Sequence, residues 1–438
     1  MVREKWSSQI GFLLAGIGSA VGLGNIWRFP YIVGQNGGGA FLIPFLISVF
    51  LFGIPLMLLE FSTGRQFRGS VVSSLKKIRR GLAWTGFAVV FVSIAVLSYY
   101  LVITGWTLVF FIFALLGKGL SFETFTQTYY SPVFFVIVTL VTSLVVMKGI
   151  RKGIEKTSRL MVPILGFILL LMVIYALTLP NAMEGVAFYL TPDFSKLTDS
   201  SVWAAAFGQA FFSLSVGLGI LLTYGSYLEE KTNLVGSSAT IAVFDLLISF
   251  MSGLVVFSIV FSFGFEVAAG PKLAFSTLPK IFEEIPYGYL VSTAFFLLLF
   301  SAALTSAISM LEVGVAALVD EMNISRLKAT SLISGIILAL GFPAAFSYSK
   351  ANLQLLSRPV LDLMDETFGS MGIPLMALLL SISITWCLDN DILIEQINRH
   401  ARWKIGKIVV LLTKYFIPIV LSYVLITEIL QHFFMPYV

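Results

Sequence analysis

The chain has 438 residues, 58% of them hydrophobic and 12% charged, with a mean hydropathy of +0.96 and a formal net charge of +5. Soluble domains carry about 25% charged residues, so this chain lacks the polar surface to face water and reads as a polytopic helical membrane protein. One cysteine, Cys387, and two distant histidines, His400 and His432, exclude a disulfide framework and argue against a His/Cys metal site; the modest excess of positive charge reads as loop topology and not as nucleic-acid binding.

Arg3 and Lys5 precede an apolar run too long for a signal peptide and without a small-residue cleavage pattern, so the first helix is expected to stay in the mature protein. At about 20 residues per span, about eleven helices are expected, near 9–34, 40–64, 83–117, 131–149, 158–179, 203–228, 236–265, 286–319, 327–346, 359–388 and 408–433. The stretches 180–202 and 266–285 are too polar to span and are expected as loops with short surface helices. Lys and Arg favour one set of loops over the other by roughly 21 to 6, which predicts an N-terminus inside and, with eleven spans, a C-terminus outside.

One internal echo stands out. Val21-Gly22-Leu23-Gly24 in the first span recurs as Val216-Gly217-Leu218-Gly219 in the sixth, and these two spans cross the membrane in opposite senses. Gly-interrupted helices at corresponding positions point to an inverted-repeat transporter with its site at the breaks. The expected organisation is therefore a five-helix repeat over 1–179, an outer loop over 180–202, a second, inverted repeat over 203–390, and a loop with the eleventh helix over 391–438.

The first break lies in GSAVGLGNIWRFP, residues 18–30. In lipid, non-helical backbone is tolerated only where it is buried or lines a cavity. Gly18, Gly22 and Gly24 permit unwinding, which frees carbonyls suited to a small cation. Amides around Leu23 and Gly24 would then present positive dipole to an anion. A kink that merely improves packing is the alternative for a single such helix. Two breaks flanked by Asn25, Ser213 and Ser215 weigh against it.

Charges inside the membrane are costly and mark function. Arg28, Glu60, Asp245 and Glu312 are such charges, with Asp365 near the outer mouth. Glu60 and Glu312 have a structural explanation, as acceptors for amides freed at the breaks; Asp245 calls for a cation. No Walker loop, GxSxG, HExxH or CxxC occurs, so an enzyme or ATP-driven pump has no visible chemistry.

GSAVGLGNIWRFP, followed by NGGGAFLIPF (36–45), GIPLMLLEFSTGR (53–65), SYYLVITGWT (98–107), GQAFFSLSVGLG (208–219), ALTSAISMLE (303–312) and VDEMNISR (319–326), resembles the neurotransmitter:sodium symporter family over essentially the whole chain. The resemblance implies an all-α fold of two inverted five-helix repeats with helices 1 and 6 broken, and two Na+ sites. The first would use the Ala20 carbonyl, the side chains of Asn25, Ser213 and Asp245, and the substrate's carboxylate. The second would use carbonyls of Gly18, Val21 and Ala302 with the hydroxyls of Thr305 and Ser306.

It further implies a substrate pocket of Ser19, Ala20, Val96, Tyr100, Phe212, Ser213, Ser215, Leu218, Ser306 and Met310, with the carboxylate on the Leu23 and Gly24 amides and the Tyr100 hydroxyl. The outer gate would pair Arg28 with Asp365, Asp362 being the second choice, over a lid of Tyr100 and Phe212 with Gln209 nearby. The inner gate would pair Arg3 with Asp320, beside Trp6, Ser226 and Tyr227.

Two departures from the family pattern sharpen the expectation. Gly22 stands where monoamine carriers place an Asp, which implies an amino acid substrate. Phe45 and Asp245 replace a Tyr and an Asn of chloride-dependent members, and a fixed carboxylate would repel a second anion, which implies no chloride requirement. Gly153 and Pro163 match a spacing that relatives use to unwind the fifth helix; a Pro-bent helix start explains it equally. The side-chain end of the pocket is largely apolar, so a neutral, hydrophobic or aromatic amino acid is expected. A sodium-independent exchanger and a non-transporting sensor or channel are the alternatives. The expected partners are the amino acid and membrane lipid; nothing in the sequence speaks to oligomeric state.

Overall fold

The computed structural model describes residues 3–265 and 273–434. Within them the chain is almost wholly helical, with one two-residue antiparallel ladder pairing Gln354 with Pro359 and Leu355 with Arg358. The first span is a bent pair, α1 (Gln9–Ala20) and α2 (Gly24–Gln35), meeting at 52°. Then come α3 (Gly39–Phe67), the short α4 (Val71–Ile78), α5 (Arg80–Leu115), α6 (Tyr130–Met147), α7 (Ile150–Leu177) and α8 (Ala182–Leu190). The sixth expected span is again broken, into α9 (Ser200–Ser213) and α10 (Ile220–Gly225). The chain continues through α11 (Leu234–Ser262), α12 (Leu278–Glu284), α13 (Gly288–Met322), α14 (Arg326–Ser347), α15 (Val360–Cys387), α16 (Asn390–Asn398) and α17 (Gly406–Thr427).

Among the described residues, nine unbroken helices and the α1–α2 pair are long and apolar enough to cross a membrane. The halves of the sixth span, 14 and 6 residues, fall short singly because the break removes the middle turns. Each of the eleven expected spans nevertheless coincides with a helix or a broken helix. The seventh element, α7, begins earlier than the expected 158: the basic turns at Ile150–Glu155 are already helical and wide-wound. Gly153 has a packing reason, since a Cβ there would lie 2.0 Å from the Val145 carbonyl oxygen.

Packing is graded from centre to rim. In the apolar stretches of α5 and α13, 83% of residues are buried, whereas α7 buries 28% and turns Leu160, Phe167 and Ile174 outward. Exposed apolar rims facing hydrocarbon are the expected solution in lipid, where helices satisfy their own backbone.

Where it is described, the loop expected at 266–285 is a short helical segment that exposes Lys280, Glu283 and Glu284 but buries its apolar side; 266–272 lies outside the described residues. Leu273, Phe275, Leu278 and Ile281 are almost fully buried, and Phe275 packs edge-on to Trp27 and Trp106. Polar residues interrupt the hydropathy of this segment, but its apolar side chains fill the space over the helix ends. In the loop expected at 180–202, α8 likewise buries Tyr189 against Phe257 of α11.

Candidate functional site

The two breaks face one another. At the first, α1 stops at Ala20 and Val21 is extended, with φ −75° and ψ 109°. The Gly22 N–H donates to Asn25 Oδ1 at 2.9 Å, and the Leu23 N–H to the Tyr100 hydroxyl at 3.4 Å. At the second, Ser215, Gly217 and Gly219 all take positive φ. A Cβ on Gly217 would collide with Ala377 Cβ at 2.8 Å and the Ile373 carbonyl at 2.9 Å. Glu60 of α3 satisfies the freed amides here, accepting from Gly217 N at 2.7 Å and Leu222 N at 3.3 Å. The breaks are tied directly: Ser215 Oγ donates to the Ser19 carbonyl at 2.9 Å.

Glu60 thus does what its structural explanation requires; Glu312 does not. Glu312 lies away from the breaks, where it accepts from the Tyr227 hydroxyl at 2.6 Å and pairs with Arg326. A cation supplied from α14 was invisible to hydropathy.

Beside the first break a buried polar cluster forms. Asn25 Nδ2 lies 2.7 Å from Asp245 Oδ1, 2.8 Å from Ser213 Oγ and 2.8 Å from Ser249 Oγ, and Ser213 Oγ donates to Asp245 at 2.8 Å. All four residues are at most 1% exposed. On the other flank, Ser306 Oγ stands 3.4, 3.1 and 3.2 Å from the carbonyl oxygens of Gly18, Ser19 and Val21. Thr305 Oγ1 bonds the Ser301 and Ala302 carbonyls at 3.0 Å each. Of the oxygen groups expected to act as donors, Asn25, Ser213 and Asp245 are brought together in one group, and Ser306 with the Gly18 and Val21 carbonyls and Thr305 with the Ala302 carbonyl in another.

Between them lies a cavity of about 30 Å³. Every expected pocket residue lines it except Ser213, which is turned to Asp245; Gly22, Asn25 and Ile373 line it as well. Ile373 was missed because α15 carries no polar motif there. Above the cavity opens a vestibule of about 340 Å³ containing Trp27, Arg28, Tyr99, Asp362 and Asp365. Tyr100 and Phe212 line both spaces and form the partition.

Arg28 donates from Nη1 to Gln209 Oε1 at 2.8 Å and lies over the Phe212 ring at 4.8 Å. Gln209 in turn donates to the Gly24 carbonyl at 2.9 Å. Asp365 shares the vestibule with Arg28, whereas Asp362 accepts from the Tyr348 hydroxyl at 3.0 Å.

At the opposite end the closure is tight. Arg3 Nη1 donates to both oxygens of Asp320 at 2.7 and 2.6 Å, and its Nη2 to Ser226 Oγ at 2.7 Å. Its guanidinium carbon lies 4.8 Å from the centre of the Tyr227 ring. Burial opposes the Arg3 charge, but Tyr227 and Asp320 outweigh it and hold the pKa above its ordinary value. Trp6 is 6% exposed and donates to the Tyr224 carbonyl at 3.2 Å. Ser70, whose N–H donates to Asp320 at 2.6 Å, belongs to this closure too and carries no sequence signature.

Broken helices meeting at a buried, oxygen-rich cavity, with a vestibule on one side and a charge-paired closure on the other, define a secondary transporter. The profile of the Sodium:neurotransmitter symporter family matches residues 3–135 and 131–437. An uncharacterized sodium-dependent transporter of Methanocaldococcus jannaschii is 37% identical over 93% of this chain and 86% of its own length. The YhdH transporter of Bacillus subtilis, also uncharacterized and sodium-dependent, is 38% identical over 90% of each chain. The crystal structure of MhsT in complex with L-phenylalanine superposes with a TM-score of 0.89 at 36% identity, covering 97% of this chain and 100% of that one. The chain belongs to the sodium:neurotransmitter symporter family: it is a multi-pass, sodium-coupled transporter and not an enzyme.

Proposed function

We propose that this protein carries a neutral, hydrophobic or aromatic amino acid into the cell with two Na+ ions, without chloride, by alternating access between the vestibule and the Arg3–Asp320 end. The observation that carries the reading is the Asn25–Ser213–Asp245 cluster against the first break. A fully buried carboxylate whose neighbours are neutral needs a cation, and the break offers a Na+ both carbonyls and a place beside a substrate carboxylate. The Ser306 and Thr305 hydroxyls among backbone carbonyls suit a second Na+. Oxygen donors without sulfur or imidazole fit such a hard cation.

Gly22 supports an amino acid over an amine. A Cβ there would lie 2.9 Å from Ser306 Oγ and 3.0 Å from the Tyr100 hydroxyl, so an acid cannot be added at this place without displacing them. Val96, Leu218, Met310 and Ile373 give the cavity an apolar end, and MhsT, with L-phenylalanine bound, provides a relative of matching shape. Asp245 supplies the negative charge that chloride would otherwise bring, and Phe45 packs on Phe29 at 4.9 Å where a chloride ligand would stand.

The test is uptake of labelled amino acids into proteoliposomes, with twenty unlabelled amino acids as competitors. Accumulation is expected only with an inward Na+ gradient, unchanged when gluconate replaces chloride, and blocked best by leucine, methionine and aromatic amino acids. Accumulation without Na+ would overturn the reading in favour of an exchanger.

A further inference from the structure

On the face of the protein where the N-terminal segment lies, a cavity of about 550 Å³ opens between that segment, the α6–α7 turn and the start of α14. Arg3, Lys5, Lys148, Arg151, Lys152 and Arg326 line it, and Glu4 is its one acid. Arg3 is taken by Asp320 and Arg326 by Glu312. Lys148 and Lys152, both exposed, have no side-chain hydrogen bond or ion pair among the described residues. Arg151 Nε donates to the Lys5 carbonyl at 2.9 Å, and the charges of Arg151 and Lys5 are partly offset by the Glu229 carboxylate nearby.

One edge of the cavity already holds an anion of the protein's own. The Glu4 carboxylate accepts the Ile150 N–H at 2.7 Å and lies 3.4 Å from Arg326 Nη1. Gly149 makes room for it: φ is +83° there, and a Cβ would stand 2.7 Å from Glu4 Oε2. The remaining wall keeps its excess positive charge.

Position decides what neutralises it. The apolar helix α6 ends at Met147 after 18 residues, which places Lys148–Lys152 at headgroup depth. Leu144, one turn before Lys148 on the same face, is 58% exposed, and Leu327, next to Arg326, is 62% exposed. Apolar chains can lie along these residues while a phosphate enters the cavity. We propose that the cavity binds the headgroup of an anionic phospholipid, which bridges Lys5 to Lys148 and Lys152 and holds the N-terminal segment on the bundle. Because residues 3–6 also form the inner closure, the bound lipid favours the inward-closed form; that consequence rests on the transport reading above, and the binding itself does not.

Full-length protein in nonionic detergent is titrated with dioctanoyl phosphatidylglycerol, dioctanoyl phosphatidylcholine and inorganic phosphate, with binding read by native mass spectrometry and calorimetry. The phosphatidylglycerol is expected to bind saturably and to slow hydrogen exchange at the amides of residues 4–8. The Lys148→Gln/Lys152→Gln variant is expected to weaken it about 30-fold, from the usual contribution of a lysine near an anionic lipid surface. Lys350→Gln, at the other end of the molecule, is expected to change nothing. Equal binding of the phosphatidylcholine, undiminished binding by the double variant, or no saturable binding would overturn the proposal. Inorganic phosphate binding as tightly as the lipid would make this a free-anion site and overturn it as well.

Discussion

Asp245 and Ser19 show how much a single buried polar atom decides. The Asp245 carboxylate is fully buried, with only neutral donors from Asn25 and Ser213. Asp245→Ala is therefore expected to remove sodium-dependent uptake while leaving the fold intact; unchanged sodium dependence would take Asp245 out of the proposed first Na+ site. Asp245→Asn keeps the hydrogen bonds but not the charge, so its uptake is expected to become chloride-stimulated, measured by chloride replacement at constant Na+. Ser19 presents the opposite case, a buried hydroxyl in the cavity wall without a hydrogen-bond partner among the described residues. Removing it costs no internal hydrogen bond, so Ser19→Ala is expected to raise stability by about 1 kcal/mol, read as a higher thermal midpoint in detergent. Both residues were visible in the sequence, Ser19 beside the first break and Asp245 as a charge inside the seventh span. What Ser19 lacks was not, because an unmet hydrogen bond depends on every neighbour in space.

At the scale of elements, the break between α9 and α10 survives because a third helix feeds it. Glu60 projects from α3 onto the amides of Gly217 and Leu222. Glu60→Ala leaves two buried N–H groups without partners, at about 1–3 kcal/mol each, so reduced thermal stability and lost uptake are expected together. Gly217→Ala is expected to fail more severely, by strain at φ +86° and collision with α15. Span positions and the GSAVGLG and SVGLG breaks were legible because hydropathy and glycine placement are local properties. The early start of α7 and the burial of Leu273, Phe275, Leu278 and Ile281 were not, since both depend on where the membrane surface and neighbouring helices lie.

The whole molecule is asymmetric about its cavity. The Arg3–Asp320 end is sealed by a bidentate pair with Trp6 wedged beside it, whereas the other end leads into the vestibule behind Tyr100 and Phe212. Removing Arg3 leaves Asp320 short of its cation and unpins the N-terminal segment. In a Cys387→Ala background carrying Thr223→Cys, Arg3→Ala is therefore expected to speed thiol labelling at position 223, which is fully buried in the sealed form. Labelling that stays slow would mean the seal does not depend on this pair.

By itself the sequence determined the helical membrane class, the span positions, both breaks and, through long motifs, the family with its sodium coupling. These follow from composition, periodicity and runs of residues whose order carries the information. Only the tertiary structure decided that Glu60 feeds the second break while Glu312 pairs with Arg326, that Arg28 engages Gln209, that Ile373 closes the cavity, and that Lys148 and Lys152 share a basic cavity with the N-terminal segment. Each of these joins residues far apart in the chain, and their partners are chosen by burial, which leaves a polar group only those neighbours that packing brings within hydrogen-bonding reach.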